Sequence, residues 1–235
     1  MKLKQLEASW GAPAVELEQY PTGPHIASRL IHTAENTFGD ITGKIVADFG
    51  CGCGTLGIAS ALWMQSEHVV GVDVDPGSLE IASENAEQLE VSIDLVWCDI
   101  RNLSWKGKCI DTVVMNPPFG TRRKGVDMEF LSMALQVASG AVYSLHKTST
   151  REHVKKAALQ SFNAATAEVL CEWAFLTFWP VCSSAPVRRP ANVQVHKKKE
   201  VDVAVDLWRF LPQSVSRLVD DEEQGGSCDR QTLVD

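Results

Sequence analysis

The chain is 235 residues long, with 45% hydrophobic residues and a formal net charge of −8. That length suits one domain of ordinary size, alone or with a tail, and supplies enough apolar side chains for a sizeable core. The acid excess excludes a protein coated in basic surface, and no apolar run reaches the ~18 residues a membrane span needs.

Met1-Lys2-Leu3-Lys4-Gln5-Leu6-Glu7 carries an acid early and no apolar stretch, so no secretory leader is expected and the chain is expected inside the cell. The first strand is predicted over 45–49, ending at Gly50, and Leu56, Ala59, Ser60 and Trp63 follow at helical spacing. A second strand is predicted over 69–73. Asp75 and Pro76 then read as N-cap and first residue of a helix with Leu79, Ala82, Ala86 and Leu89 on one face. Strands are predicted over 93–97 and 110–115. Asp127 reads as the cap of a helix burying Leu131, Ala134, Leu135 and Ala138. A strand over 141–145, a helix over 150–162 and a last strand over 201–210 complete the pattern. Alternating strands and helices predict an α/β fold, a parallel sheet with helices on both faces.

Two stretches break that order. Residues 174–192 contain Pro180, Pro186, Arg188, Arg189 and Pro190 without a clear period, and read as an irregular insertion. Residues 211–235 carry Asp220, Asp221, Glu222, Glu223, Asp229 and Asp235 against Arg217 and Arg230. They read as an acidic, disordered tail beyond a domain of residues 1–210. The seven cysteines are irregularly spaced with no C-x-x-C pair, so neither a disulfide framework nor a metal site is expected. Cys51 and Cys53 read as small residues in a tight loop.

Asp48-Phe49-Gly50-Cys51-Gly52-Cys53-Gly54 lies between the first strand and its helix. Its glycines let the backbone turn tightly and approach a ligand. Asp73 ends the second strand, where a carboxylate can accept from both hydroxyls of a ribose. Asp99, after the third strand, is placed to accept an adenine amino group. A dinucleotide site is the main competitor, but its G-x-G-x-x-G spacing is absent here. Asp48 would also repel a diphosphate, whereas it suits a cation such as the methionine moiety of S-adenosylmethionine.

The fourth strand ends in Asn116-Pro117-Pro118-Phe119, followed by Gly120. Two prolines remove two backbone donors and hold an extended corner. The corner offers an amide side chain, backbone carbonyls and an aromatic ring, a set that grips a planar group bearing an exocyclic NH2.

The glycine loop, the acid ending the second strand and this corner resemble the seven-stranded S-adenosylmethionine-dependent methyltransferases that modify exocyclic amines. The chain is more closely similar to the methyltransferase-like protein 5 family, ribosomal RNA adenine-N6 methyltransferases acting on the small-subunit (18S) RNA. Glu18-Gln19-Tyr20-Pro21-Thr22, ADFGCGCG from Ala47, MNPPFGT from Met115, YSLHK from Tyr143 and HKKK from His196 carry the likeness. It covers residues 1–163 and 193–210. Between Glu172 and Val193 the chain departs from the family, with a longer, proline-rich segment.

The resemblance implies a seven-stranded, mostly parallel sheet with an antiparallel last strand. It implies S-adenosyl-L-methionine as cofactor, held by Gln19, Thr22, Asp48, Gly50, Cys53, Gly54, Asp73 and Asp99. Gln19, Tyr20 and Thr22 would form part of a lid. Asn116, Pro117, Pro118 and Phe119 would be catalytic. Lys147, His196, Lys197, Lys198 and Lys199 would contact ribosomal RNA, in the nucleus (nucleolus) or the cytoplasm. It further implies a small zinc-binding activator subunit, docked by strand addition on the apolar edge strand at 93–97 to make a heterodimer. A DNA adenine or protein glutamine methyltransferase would use the same corner. A non-catalytic RNA-binding assembly factor is a reading of a different class.

Overall fold

The structure, a computed structural model, describes residues 22–120, 123–175 and 203–213. In chain order the elements are α1 (Pro24–Phe38), β1 (Ile45–Phe49), α2 (Thr55–Met64), β2 (His68–Asp73), α3 (Pro76–Gln88) and β3 (Asp94–Trp97). They continue as β4 (Ile110–Met115), α4 (Val126–Val137), β5 (Ala138–Lys147), α5 (Arg151–Ser161), β6 (Ala164–Phe175) and β7 (Val203–Pro212). The strands form one sheet in the order β3-β2-β1-β4-β5-β7-β6. Strand β7 runs antiparallel to β5 and β6, and the pairs among β1 to β5 are parallel. The expected seven-stranded α/β fold is borne out, including its antiparallel last strand.

A parallel sheet covered on both faces needs strands that are apolar on both sides. In β4, Val114 packs with α1, α2 and α3, while Val113 and Met115 pack with α4 and α5. In β5, Ala141, Tyr143 and Leu145 face the first group and Val142 the second. Asp75 caps α3 as expected, accepting from the Gly77 N–H at 3.1 Å. Among the described residues no helix is long and apolar enough to cross a membrane.

Several elements differ from the sequence expectations. Helix α1 was not expected, although Ala27, Leu30, Ile31 and Ala34 bury one face of it and left-handed Gly39 closes it. Strand β6 was not expected either. Register shifts between Ala164 and Thr166 and between Val169 and Cys171 break its two-residue alternation. It runs through Phe175, so residues 174 and 175 belong to the sheet and not to an insertion. Strand β7 reaches Pro212, past the expected start of the tail at 211. Gly125, with φ 82°, holds the N-cap of α4, and Asp127 sits inside its first turn. Gln19, Tyr20, the remainder of the 174–192 segment and His196, Lys197, Lys198 and Lys199 lie outside the described residues.

Candidate active site

Strands β1 and β4 are sheet neighbours whose onward connections diverge, which makes their carboxyl ends the switch point where open α/β sheets bind ligands. Phe49 and Met115 are register partners, each the last residue of its strand. The glycine loop and the Asn116 corner therefore leave the sheet side by side.

The loop is held from below by two carboxylates. Asp48 is buried and its Oδ2 accepts from the Gly57 N–H at 2.8 Å. Gly54 begins α2 without a capping side chain, so Asp48 supplies the acceptor that helix end lacks. Burial pushes the Asp48 carboxyl up to about 7, helped by the nearby charge of Asp73 and opposed by the Gly57 N–H. Asp73 ends β2 and is also buried. Its Oδ2 accepts from Gly52 N–H at 2.8 Å and its Oδ1 from Asp75 N–H at 2.9 Å. Burial raises it above the usual carboxylate range against the pull of those amides.

The glycines divide into two kinds. Gly50 has φ +68°, and an added Cβ would lie 3.0 Å from the Phe130 ring. Gly52 has φ +53° with nothing within 4 Å of an added Cβ, so its edge of the loop faces open space. Cys53 is buried, 3.2 Å from Thr55 Oγ1, and its carbonyl accepts from Asn85 Nδ2 at 3.0 Å.

Asp99 follows β3. Its carboxylate accepts from the Arg101 backbone N–H at 3.0 Å and is gripped by the Arg101 guanidinium, which holds it below the usual carboxylate range. An adenine amino group would reach Asp99 only by sharing it with Arg101.

In the corner, the Asn116 Nδ2 donates to Thr22 Oγ1 at 3.1 Å. Thr22, read from the sequence as part of a lid, is thus buried against the corner. The bond orients the amide: nitrogen toward Thr22, oxygen away from it. Pro117 is buried and Pro118 half-buried. Phe119 packs on the α1 side of the sheet, with Lys147 Nζ 5.7 Å from its ring centroid. Lys147 is therefore brought to the corner itself. Val74, 46% exposed directly after Asp73, and Arg101 were missed by the sequence reading. An apolar residue following a strand-ending acid was the available signal for Val74. Arg101 left none.

Known proteins share this arrangement of sequence and fold. The methyltransferase small domain family matches residues 25–162. The rRNA N(6)-adenosine-methyltransferase METTL5 of Danio rerio is 44% identical over 221 residues, covering 90% of this chain and all of that protein. The chain belongs to this family of methyltransferases. The Drosophila melanogaster member, also an rRNA N(6)-adenosine-methyltransferase, is 40% identical over 89% of this chain and 96% of its own length. The crystal structure of a candidate RNA methyltransferase from Pyrococcus horikoshii overlays with a TM-score of 0.69 at 28% identity. It covers 90% of this chain and 98% of that one. The fold is that of the class I methyltransferases, and the chain is an enzyme of that kind.

The site fits a nucleoside methyl donor. The open edge at Gly52 lets a ligand approach the backbone, Asp73 can accept from ribose hydroxyls, and exposed Val74 offers an apolar seat for a base. Asp48 and Asp73 beneath the loop favour a cation over a diphosphate.

Proposed function

We propose that this chain transfers a methyl group from S-adenosyl-L-methionine to the N6 amine of an adenosine in small-subunit (18S) ribosomal RNA. The observation that carries the reading is the Asn116 corner beside the glycine loop, with the amide turned by Thr22. The relatives in Danio rerio and Drosophila melanogaster are rRNA N(6)-adenosine-methyltransferases, which supports an adenosine of ribosomal RNA as the acceptor. When bound, the cofactor supplies an electrophilic methyl group on a good leaving group.

The chain's own residues do the positioning. Gly50, Cys53, Gly54 and Asp73 hold the donor, with Thr22, Gln19 and Asp99 around it. The Asn116 Oδ1 and the Pro117 carbonyl each accept one N6–H, which localises the nitrogen lone pair and aims it at the methyl carbon. The N6 proton leaves to solvent after the new bond forms, so no base is required beforehand. Phe119 stacks on the adenine, worth about 1–3 kcal/mol. The base must be unpaired or flipped to reach this corner. Lys147 and the His196, Lys197, Lys198, Lys199 run contact phosphates, with affinity falling as salt rises. With that substrate the chain acts in the nucleolus or the cytoplasm.

The same reading includes a small zinc-binding activator subunit on the outer edge of β3. Trp97, at the end of that edge strand, is 71% exposed, with its Nε1 donating to the Val74 carbonyl at 2.9 Å. Copurification with such a subunit, lost in Trp97→Asp, is expected.

The deciding experiment supplies 18S RNA, DNA and a release-factor protein to the chain and its Asn116→Ala variant, with methylated adenosine read by mass spectrometry. Methylation of the RNA alone, lost in the variant while cofactor binding persists, is expected. Near-normal turnover by Asn116→Ala, or methylation of DNA or protein in preference, overturns the reading.

A further inference from the structure

Two fully buried polar side chains, Ser144 and His146, and the partly buried Asp127 lie behind the corner and have no part in the reaction above. His146, the penultimate residue of β5, is fully buried, and its Nε2 lies 2.9 Å from the hydroxyl of fully buried Ser144. On the other side its Nδ1 lies 3.5 Å from Asp127 Oδ2, longer than a hydrogen bond. Burial pushes the Asp127 carboxyl up, but the His146 ring and the Met128 N–H outweigh it and hold it below its usual range. Asp127 in turn reaches the corner. A Cβ added to Gly120 would lie 3.2 Å from the Arg123 carbonyl oxygen, 3.5 Å from the Gly125 nitrogen and 3.6 Å from Asp127 Oδ1, so the carboxylate is a neighbour of the residue that follows Phe119.

The order Ser–His–Asp is that of a hydrolase triad. Here the serine is sealed in the sheet, so attack on a substrate is excluded. Burying such polar groups is costly unless they serve the fold or the site. Their direction is informative. Ser144 and His146 face α4, whereas Lys147, the next residue, stands over Phe119 on the opposite face. His146 is also the register partner of buried Asp206, which is tied up by Arg151 and Thr148.

We infer that the end of β5 clamps the Asn116–Gly120 corner from both faces: His146 holds Asp127 beside Gly120, while Lys147 holds the Phe119 ring. Asp127, His146 and Ser144 are positioning residues, and their work is to keep the corner in the geometry that methyl transfer needs. The inference rests on the proposed role of that corner.

The test compares Asp127→Ala, Asp127→Asn and Ser144→Ala with the unaltered protein. Asp127→Ala should lower kcat on 18S RNA by about 10–100-fold, with KM for RNA and cofactor changed less than about threefold. Asp127→Asn retains the shape and an acceptor and should restore most of the loss. Amide hydrogen exchange at Phe119 and Gly120 should quicken in Asp127→Ala and Ser144→Ala, and much less in Asp127→Asn. Should Asp127→Ala misfold, Ser144→Ala carries the exchange comparison. Unchanged exchange at Phe119 and Gly120 in both variants overturns the clamp. A wild-type protein inactive on RNA overturns the substrate reading instead, and the exchange result still decides on the clamp.

Discussion

Thr22 and Asn116 meet through a 3.1 Å hydrogen bond across 94 positions of sequence. The contact joins the segment before α1 to the corner after β4, and it decides which end of the Asn116 amide is oxygen. Replacing the hydroxyl by a methyl group of the same shape removes this acceptor from the amide nitrogen. Thr22→Val should therefore lower single-turnover methyl transfer by about tenfold at saturating cofactor. A variant with wild-type turnover would show that the amide is oriented by something else.

The two loop glycines should fail differently. Any side chain at Gly50 meets the Phe130 ring in addition to the left-handed backbone penalty. Gly50→Ala should destabilise the fold by about 2–3 kcal/mol, measured by denaturant unfolding. Gly52 carries the backbone penalty of about 1–2 kcal/mol, but its edge is open. Gly52→Ala should thus remain folded and lose cofactor affinity by more than tenfold, measured by calorimetry.

Asp48 makes stability depend on pH. Its carboxyl is near 7 in the folded chain and near 3.8 when unfolded. Between those values the folded chain holds a proton that the unfolded chain has released. Stability from this group is therefore fully present below the lower value and is lost as pH rises toward the upper one. Asp48→Asn, which keeps an acceptor for Gly57, should flatten the fall in Tm between about pH 5 and 7. A cation bound over the loop favours ionised Asp48, so cofactor binding should release protons. Calorimetry in buffers of different ionisation enthalpy measures that release.

Tyr143 supplies a control on the face of β5 opposite Ser144 and His146. Its hydroxyl donates to Asp40 Oδ2 at 2.6 Å, and Arg209 Nε donates to the same carboxylate oxygen at 3.0 Å. Burial and the Asp40 charge raise the phenol well above its ordinary range. Tyr143→Phe should cost about 1.5–3 kcal/mol by urea unfolding, the worth of a hydrogen bond to a charged group, and leave methyl transfer intact.

The parts legible in the sequence were those where one residue type has one local use. Glycines that turn a loop, Asp75 before Pro76, and prolines closing β4 all announce themselves without tertiary context. Strand β6 did not, because its bulges shift side chains between faces and erase the alternation. Helix α1 carries a readable pattern in Ala27, Leu30, Ile31 and Ala34, but it has no capping side chain and no acid in its first turn to mark its start. Asp99 was found as a candidate, yet its partner was not, since an ion pair two residues away leaves no periodic trace. Asp127 was read as a local cap. Its tie to His146 comes from the packing of α4 on β5, which no local pattern encodes.

Strand β7 is last in the chain but lies between β5 and β6 in space. Val205 pairs with Lys147 and Asp206 with His146, so the end of β5 gains its neighbour only when residues 203–212 dock. During synthesis the glycine loop and the Asn116 corner leave the ribosome long before the strand that braces them. A nascent chain thus carries the glycine loop and the Asn116 corner before the sheet beneath them is complete. The support of the corner is finished by a strand that lies far downstream of it in sequence.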